Sequence, residues 1–296
     1  MKIFVTGATG FVGSAVVREL RQAGHQVLGL ARSDAGAQSL LAAGAKAYRG
    51  QLEDLEGLRG AADESDGVIH TGFNHDFSKF KENSELDRKV IETLGSALGT
   101  ARPLVITSAI GVLPPGAEVT EETRPPSPSP NPRAASEEAA RALMERGARI
   151  SIVRLPPSVH GDGDHGFVPT LIKIAREKKA SAFIGSGTNR WPAVHRLDAA
   201  HAFKLALDQA AHGAYYHAVA EAGVAFREIA EVIGRHLNVP VISKTPEEAA
   251  AHFTWFAHFA ALNVVASSKQ TQATLRWRPT QPGLIADLDR PAYFTA

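Results

Sequence analysis

The sequence has no cysteine among its 296 residues and almost no net charge. The absence of cysteine excludes disulfides, zinc–thiolate sites and cysteine nucleophiles, and it fits a reducing compartment. Lysine and arginine number 32 against 31 aspartates and glutamates, and this balance of +1 argues against a nucleic-acid partner. No uncharged apolar run approaches the ~20 residues that cross a bilayer. A cytoplasmic protein without a membrane or nucleic-acid partner is therefore expected.

The first half of the chain alternates short apolar runs with segments of helical periodicity. Strands are predicted at 2–5, 25–31, 45–48, 67–70, 104–107 and 149–155, and helices at 11–23, 35–43, 54–62, 82–98 and 133–145. Repeated strand–helix units predict a parallel sheet covered by helices on both faces. The expected fold is α/β, a doubly wound parallel sheet of the Rossmann type with a smaller, mixed α/β C-terminal domain.

The change of pattern after the sixth strand predicts two domains. Residues 1–156 are assigned to the nucleotide-binding domain, to which 193–220 return, and residues 157–192 and 221–296 to the substrate-binding domain. Residues 112–132 contain seven prolines, which predicts an irregular surface loop across the carboxyl ends of the strands. Ligands bind at that edge, so a lid and a plain connector remain open alternatives for this segment.

The segment "VTGATGFVG" lies directly between the first strand and the first helix. Gly7 permits the tight turn, Gly10 lets the backbone approach a pyrophosphate, and Gly13 allows close packing of the helix on the strand. The free N–H groups and the dipole of a helix start then bind the phosphates. A dinucleotide site is therefore predicted here.

The end of the second strand, "GLARSD", predicts which dinucleotide is bound. Arg32 stands where a carboxylate would bind a free ribose 2′-hydroxyl, and its planar fork suits a 2′-phosphate. The predicted cofactor is NADP(H) rather than NAD(H), with Asp34 and Asp54 interpreted as helix caps. The predicted cofactor-binding residues are Gly7, Thr9, Gly10, Phe11, Val12, Gly13, Arg32, Ser33, Leu52, Thr71, Gly72, Phe73, Thr107, Ser108, Leu155, Pro156 and Ser158.

The order of motifs resembles a known family. "TGATGFVG", "GQLED", "VITSA", "VRLPPSVHG" and "AVHRLDAAHA" follow one another as in the extended and atypical short-chain dehydrogenases/reductases, the NAD-dependent epimerase/dehydratase group. The resemblance covers nearly the whole chain, although Arg276 stands where the closing segment of the family usually has glycine. It implies a Rossmann fold, a nicotinamide cofactor and hydride transfer.

The resemblance also implies a catalytic tetrad that this chain lacks. Family members use a Ser or Thr, a Tyr, a Lys four residues after the Tyr, and an Asn. On that pattern Arg133 falls on the Tyr, Glu137 on the Lys, Ala109 on the Ser, and Asp87 on or near the Asn. No tyrosine of the chain has Lys four residues later; the four are Tyr48, Tyr215, Tyr216 and Tyr293.

Four residues are candidates for the remaining chemistry. Arg133 could stabilise an oxyanion, but its pKa makes it a poor proton source. Ser108 could donate to the substrate, or it is a strand-end serine bonded to the backbone. Asp87 could hold a water, although an exposed helix charge is the interpretation we favour. His160 is either functional or anchors a loop.

A metal site is not predicted. The loop "GDGDHG" has calcium-like spacing, but Lys173 stands at the position that needs a glutamate.

Three functions are compatible with these features. The favoured one is an NADP(H)-dependent oxidoreductase that transfers hydride to or from a small, apolar carbonyl or alcohol without the usual Tyr–Lys acid. The others are an epimerase or dehydratase of a sugar-like substrate, and a non-catalytic NADP(H)-binding redox sensor. A helix predicted at 246–261 carries aromatic residues that either pack the small domain or line the substrate pocket. The expected partner is a small molecule, and a homodimer is an open alternative.

Overall fold

The computed structural model describes residues 1–295. Its first half follows the predicted alternation of strands and helices. In chain order the elements are β1 (Lys2–Thr6), α1 (Phe11–Gln22), β2 (Gln26–Ala31), α2 (Asp34–Ala42), β3 (Lys46–Arg49), α3 (Leu55–Asp63), β4 (Gly67–His70), α4 (Phe80–Leu98), β5 (Leu104–Ala109), β6 (Glu118–Val119), α5 (Ala135–Met144) and β7 (Ile150–Leu155).

The second half adds shorter strands and more helices. They are β8 (Ser158–His160), α6 (Phe167–Lys178), β9 (Ser181–Ile184), β10 (Arg190–His195), α7 (Arg196–Gln209), β11 (Ala214–His217), β12 (Glu221–Ala225), α8 (Phe226–Leu237), β13 (Val241–Lys244), α9 (Pro246–Phe253), α10 (Ala257–Ala260), β14 (Val265–Ala266), α11 (Lys269–Leu275) and α12 (Leu284–Leu288). Within residues 1–295, no helix is both long and apolar enough to span a bilayer.

The main sheet confirms the doubly wound prediction. It has seven parallel strands in the order β11-β7-β5-β4-β1-β2-β3. Helices α1, α2 and α7 cover one face, and α3, α4 and α5 cover the other. Both faces are buried, which explains why the central strands are continuous apolar runs rather than alternating ones. The carboxyl ends of β1, β4, β5 and β7 meet at one edge, where the candidate site lies.

A second core lies beyond the main sheet. It is built on the three-stranded sheet β12-β10-β8 and the pair β13-β9, packed by α6, α8, α9, α10 and α12. The C-terminal part of the chain also contributes to the core of the main sheet. Leu275 and Trp277 belong to the core of the main sheet, and Trp277 Nε1 donates to the carbonyl of Asp198 at 3.0 Å. The division into a nucleotide-binding and a substrate-binding domain therefore stays a prediction.

Two local predictions are wrong. The proline-rich segment is not wholly irregular, because β6 pairs in parallel with β14, and Val112 and Leu113 are buried. The predicted helix at 246–261 is interrupted after α9, since Thr254 has φ +53°, a left-handed conformation that an α-helix cannot continue.

Candidate active site

The Gly-rich turn forms a cradle that side chains would fill. Gly7 has φ +64°, and a Cβ there would lie 2.7 Å from the backbone nitrogen of Gly72. A Cβ on Gly13 would overlap the carbonyl oxygen of Gly7. These contacts explain why glycine is required where the helix meets the turn.

The start of α1 has free donors for an anion. Gly10 is its N-cap and provides no side-chain hydrogen bond, and no acidic residue lies in the first turn. Thr9 and Gly10 are exposed, and Phe11 and Val12 begin the helix half-buried. Unsatisfied N–H groups at a helix start bind phosphate. The predicted residues of this turn therefore fit the pyrophosphate of a dinucleotide.

Two arginines lie at the adenosine end of this edge. Arg32, after β2, is exposed and makes no hydrogen bond or ion pair to the described residues. Arg49, which the sequence analysis missed, ends the neighbouring strand, and its guanidinium lies 3.3 Å from the carbonyl of Ala31 and 3.2 Å from Asp34. Ser33 caps α2 by accepting from Gly36 N at 3.1 Å, so the predicted cap at Asp34 is wrong. The choice of NADP(H) over NAD(H) stays a prediction.

Leu52 lies between this end and the middle of the sheet. A Cβ on Gly72 would lie 3.1 Å from Leu52 Cδ2, so the two predicted residues are neighbours. Asp54 caps α3 as expected, accepting from Gly57 N at 3.0 Å.

A chain of hydrogen bonds connects β1 to β4 and then to α4. Thr71 Oγ1 donates to the carbonyl of Thr6 at 2.7 Å, and Gly72 N donates to Thr6 Oγ1 at 3.2 Å. Thr6 Oγ1 also lies 2.6 Å from His70 Nδ1. An ionised carboxylate only accepts hydrogen bonds, so His70 Nε2 donates to Asp87 Oδ1 at 2.9 Å.

Asp87 is buried, so the favoured interpretation of an exposed helix charge is wrong. It is 2% exposed and accepts from three side chains: His70, Arg133 and Ser136. Burial alone would raise the pKa of Asp87, but the charge of Arg133 and the bonds from His70 and Ser136 outweigh it and hold the pKa below its ordinary value. The residue is therefore an ionised carboxylate that fixes its donors in place.

Arg133 is held rigidly at the carboxyl end of β5. Its Nη1 donates to Asp87 Oδ2 at 2.8 Å, and its Nη2 donates to the carbonyl of Thr107 at 3.0 Å. Its Cζ lies 4.2 Å from the centre of the Phe73 ring, a cation–π contact. The guanidinium has five N–H groups, and its bonds to Asp87, Ser136 and Thr107 use three. It is the cation beside the predicted nicotinamide end of the site.

The position of the family lysine is filled by a second buried ion pair. Glu137 and Arg154 are both fully buried, and their two bonds are each 2.8 Å. Ser108 Oγ donates to Glu137 Oε1 at 2.7 Å, so its partner is a carboxylate and not the backbone. Arg154 also donates to the carbonyl of Thr123 and to His217 Nε2. A catalytic role for Ser108 stays a prediction.

The residues after β7 lie in a buried region. Leu155 is half-buried and Pro156 is buried. His160 is buried, and its Nδ1 lies 2.8 Å from Asp287 Oδ2 in the C-terminal part of the chain. Within residues 1–295, Ser158 Oγ and His160 Nε2 are buried and have no hydrogen-bond partner. The structure therefore gives His160 an anchoring contact, and its catalytic role stays a prediction.

Aromatic rings from two regions form one wall of the cleft. Phe77, in the loop after β4, stacks on Trp255 with ring centres 5.7 Å apart and planes at 26°. The Phe259 ring lies 5.2 Å from Phe77 and 4.7 Å from Phe167. Trp255 is 56% exposed, an unusual state for so large an apolar side chain. The helix predicted at 246–261 includes Trp255 and Phe259, but the sequence analysis missed Phe77, whose signal is the aromatic spacing in "TGFNHDFSKF".

The loop 161–166 lies against the start of α1. Its His165 ring lies 5.7 Å from the Phe11 ring at the start of α1. Asp164 accepts from Gly166 N at 2.7 Å and lies 3.3 Å from the Tyr293 hydroxyl. Burial raises the pKa of Asp164 to about 6. Within residues 1–295, no group of three or more metal-ligating side chains comes together.

The model of the NAD dependent epimerase/dehydratase family matches residues 3–219. The chain belongs to this family. The match confirms the resemblance inferred from the motifs, and it makes a nicotinamide dinucleotide the class of cofactor for the Gly-rich turn.

Relatives of the chain extend over most of its length. An uncharacterized protein of Schizosaccharomyces pombe is 50% identical over 299 residues, covering 99% of this chain and all of that protein. The 2-alkyl-3-oxoalkanoate reductase of Stenotrophomonas maltophilia is 30% identical over 226 residues, 72% of this chain and 67% of the reductase. The dTDP-glucose 4,6-dehydratase of Streptomyces venezuelae, solved with NAD and TYD bound, has a TM-score of 0.79 at 20% identity, covering 99% of this chain and 97% of that chain. This last likeness shows the shared fold.

Proposed function

We propose that the protein is an NADP(H)-dependent oxidoreductase that transfers hydride to or from a small, apolar carbonyl or alcohol. The observation that carries the proposal is the buried guanidinium of Arg133, fixed by Asp87 and by the carbonyl of Thr107 at the carboxyl edge of the sheet. On the family pattern described above, Arg133 falls on the tyrosine acid. When bound, the reduced nicotinamide supplies a hydride to the carbonyl carbon.

Arg133 is assigned an electrostatic role. Negative charge develops on the substrate oxygen as its carbon is reduced, and a cation whose position is already fixed stabilises that charge without reorganisation. Arginine does not lose its proton at working pH. Its part is therefore to stabilise the oxygen, while Asp87 keeps the guanidinium in place.

The proposed substrate class rests on the aromatic wall. Phe77, Phe167, Trp255 and Phe259 offer a largely apolar surface beside the Arg133 end of the cleft. Apolar pockets with few polar groups bind ligands that bury most of their surface. The relative from Stenotrophomonas maltophilia is named as a reductase of 2-alkyl-3-oxoalkanoates, which is in keeping with a ketone flanked by apolar groups.

Replacing Arg133 by alanine tests the proposal. We expect kcat for carbonyl reduction to fall by about 10² to 10³, the usual cost of one oxyanion-stabilising donor, while the cofactor still binds. The measurement is NADPH consumption at 340 nm against a panel of aldehydes, ketones and quinones, with NADPH binding titrated in the same samples. Arg59→Ala, an exposed arginine on α3, is the control.

The outcomes separate the competing functions. Turnover equal in wild type and Arg133→Ala would remove Arg133 from the chemistry. Tight NADPH binding without turnover across the panel would favour the redox-sensor alternative, which is consistent with ion pairs occupying both the Tyr and the Lys positions.

Replacing Arg32 by alanine tests the choice of cofactor. A charge-assisted bond to the 2′-phosphate is worth about 1.5–3 kcal/mol, so we expect the Kd for NADPH to rise roughly tenfold or more. The Kd for NADH, which lacks that phosphate, should stay within a factor of about two. Calorimetric titration of both cofactors against wild type, Arg32→Ala and Arg49→Ala gives the result. Equal changes for NADPH and NADH would contradict the assignment.

A further inference from the structure

We propose that His75 donates the proton that the missing tyrosine would supply. The inference rests on the proposed function and adds to it the residue that completes the reduction.

His75 and the guanidinium of Arg133 both contact the ring of Phe73. The His75 ring is 5.1 Å from the Phe73 ring, which also lies 4.2 Å from Arg133 Cζ and 6.2 Å from the Phe80 ring. On its other side His75 lies 6.2 Å from Phe77, the residue that stacks on Trp255. One loop thus presents an imidazole between the fixed cation and the aromatic wall.

Two other histidines near this edge are committed to structural contacts, whereas His165 is exposed and its Nδ1 lies 3.2 Å from the carbonyl of Gly163 in its own loop. His70 and His160 are fully buried, and each bonds a buried carboxylate, Asp87 and Asp287 respectively. His75, which the sequence analysis overlooked, keeps access to solvent. Within residues 1–295 it pairs with no carboxylate. Solvent access lets it regain a proton after each turnover.

The groups facing His75 set its protonation. Partial burial in the loop lowers its pKa below the ordinary value, and the positive charges of Arg133 and His165 lower it further. The carbonyl of Phe73 and the Asp87 carboxylate raise it, by less. Asp76 is the adjacent charged residue on its own loop. The imidazolium is thus a stronger acid than an ordinary histidine, which favours proton release to a developing alkoxide.

The reaction balances with these groups. The carbonyl carbon gains a hydride, with two electrons, from the reduced nicotinamide dinucleotide, and the C=O π pair moves onto oxygen. That oxygen takes a proton from the imidazolium of His75, which leaves neutral imidazole and the alcohol. Solvent returns a proton to His75. The nicotinamide is oxidised and the carbonyl is reduced.

Asp164 is the rival proton donor, because its pKa is about 6. Its carboxylate accepts from Gly166 N at 2.7 Å and from the Tyr293 hydroxyl at 3.3 Å. Within residues 1–295, no hydrogen bond, ion pair or shared ring contact joins Asp164 to Arg133, the group assigned to the substrate oxygen. His75 and Arg133, by contrast, both contact one ring, that of Phe73.

The first test is independent of turnover. The pKa of His75 is measured by NMR titration of the imidazole signals, assigned with His75→Gln, in protein saturated with NADP⁺ and then with NADPH, and with NAD⁺ and NADH. The oxidised nicotinamide is cationic, so we expect it to lower the pKa of His75 by roughly half a unit or more relative to the reduced form. His212, which bonds the Ala148 carbonyl at 2.8 Å, should show no difference. If the pKa of His75 is the same with the oxidised and the reduced cofactor bound, the inference is overturned. If the protein binds none of NADP⁺, NADPH, NAD⁺ and NADH, the proposed function is overturned as well.

The second test uses the pH profile of reduction. We expect kcat/KM of wild type to fall as pH rises through the pKa of His75, because only the imidazolium donates. His75→Gln should lower kcat/KM by about 10² or more and remove its dependence on pH. His212→Gln should keep the wild-type kcat/KM and the wild-type dependence on pH. If the fall of kcat/KM with rising pH persists in His75→Gln but disappears in Asp164→Asn, the proton donor is Asp164 and the inference is overturned.

Discussion

Replacing Glu137 by alanine is expected to lower the free energy of unfolding by about 3–5 kcal/mol, the usual cost of removing one partner of a buried ion pair. The cost arises because Arg154 would lose the carboxylate that pairs with it. Its guanidinium is fully buried and has two bonds to Glu137. Without that carboxylate, the chain must bury an uncompensated cation and leave the Ser108 hydroxyl unpaired as well.

The matched control is the next residue along the helix. Glu138 also pairs with an arginine, Arg88, at 2.6 Å, but both side chains are about 30% exposed. Glu138→Ala should therefore cost about 1 kcal/mol or less. Urea unfolding followed by circular dichroism gives both values. A loss below ~1.5 kcal/mol for Glu137→Ala would mean that Arg154 finds other partners or water.

A double variant separates pairing from packing. Changing Glu137 to Leu and Arg154 to Met removes both charges, and such apolar replacements are often close to neutral. We expect it to regain most of the stability that Glu137→Ala loses. The same pair explains why the usual lysine cannot simply be restored: a lysine at 137 would place a second buried cation against Arg154.

The sequence allowed the fold and the Gly-rich turn to be predicted because their signals are local. Apolar runs separated by amphipathic segments gave the strands and helices, and the spacing of Gly7, Gly10 and Gly13 gave the turn. Burial of Asp87 was predictable in principle. Val90, Ile91 and Leu94 follow it at three, four and seven residues and are all buried, so Asp87 continues the apolar face of α4. Arg88 and Lys89 directly follow Asp87, and these two cations favoured the interpretation of an exposed helix face.

The rest of the site depends on contacts that no local pattern encodes. Glu137 and Arg154 meet because α5 packs across β5 and β7, and the pairing of β6 with β14 joins segments far apart in the chain. The role proposed for His75 likewise depends on how its loop folds back towards Arg133. Sequence periodicity indicates which face of a single helix or strand is buried. It does not indicate which residues of different elements lie in contact.

The buried network around Arg154 also predicts acid lability through His217. This histidine is fully buried: its Nδ1 donates to the carbonyl of Ser267 at 2.7 Å, and its Nε2 accepts from Arg154 at 3.2 Å. Burial, followed by the positive charge of Arg154, lowers the pKa of His217 to about 3 from 6.5. The unfolded chain therefore takes up this proton at a higher pH than the folded one. The contribution of His217 to stability is complete above pH 6.5 and is lost as the pH falls towards 3.

We expect the loss to reach about 1.4 kcal/mol per pH unit below the unfolded pKa, or about 2 kcal/mol between pH 6.5 and 5. His217→Gln, whose amide can both donate and accept, should reduce the slope of unfolding free energy against pH by about that amount. His212→Gln is the matched substitution at an exposed histidine. Urea unfolding at pH 7, 6 and 5 is the measurement, since most carboxylates titrate below this window. Equal slopes in wild type and His217→Gln would show that the folded protein takes up the proton at His217 readily, and that the Arg154 network opens to water well above pH 3.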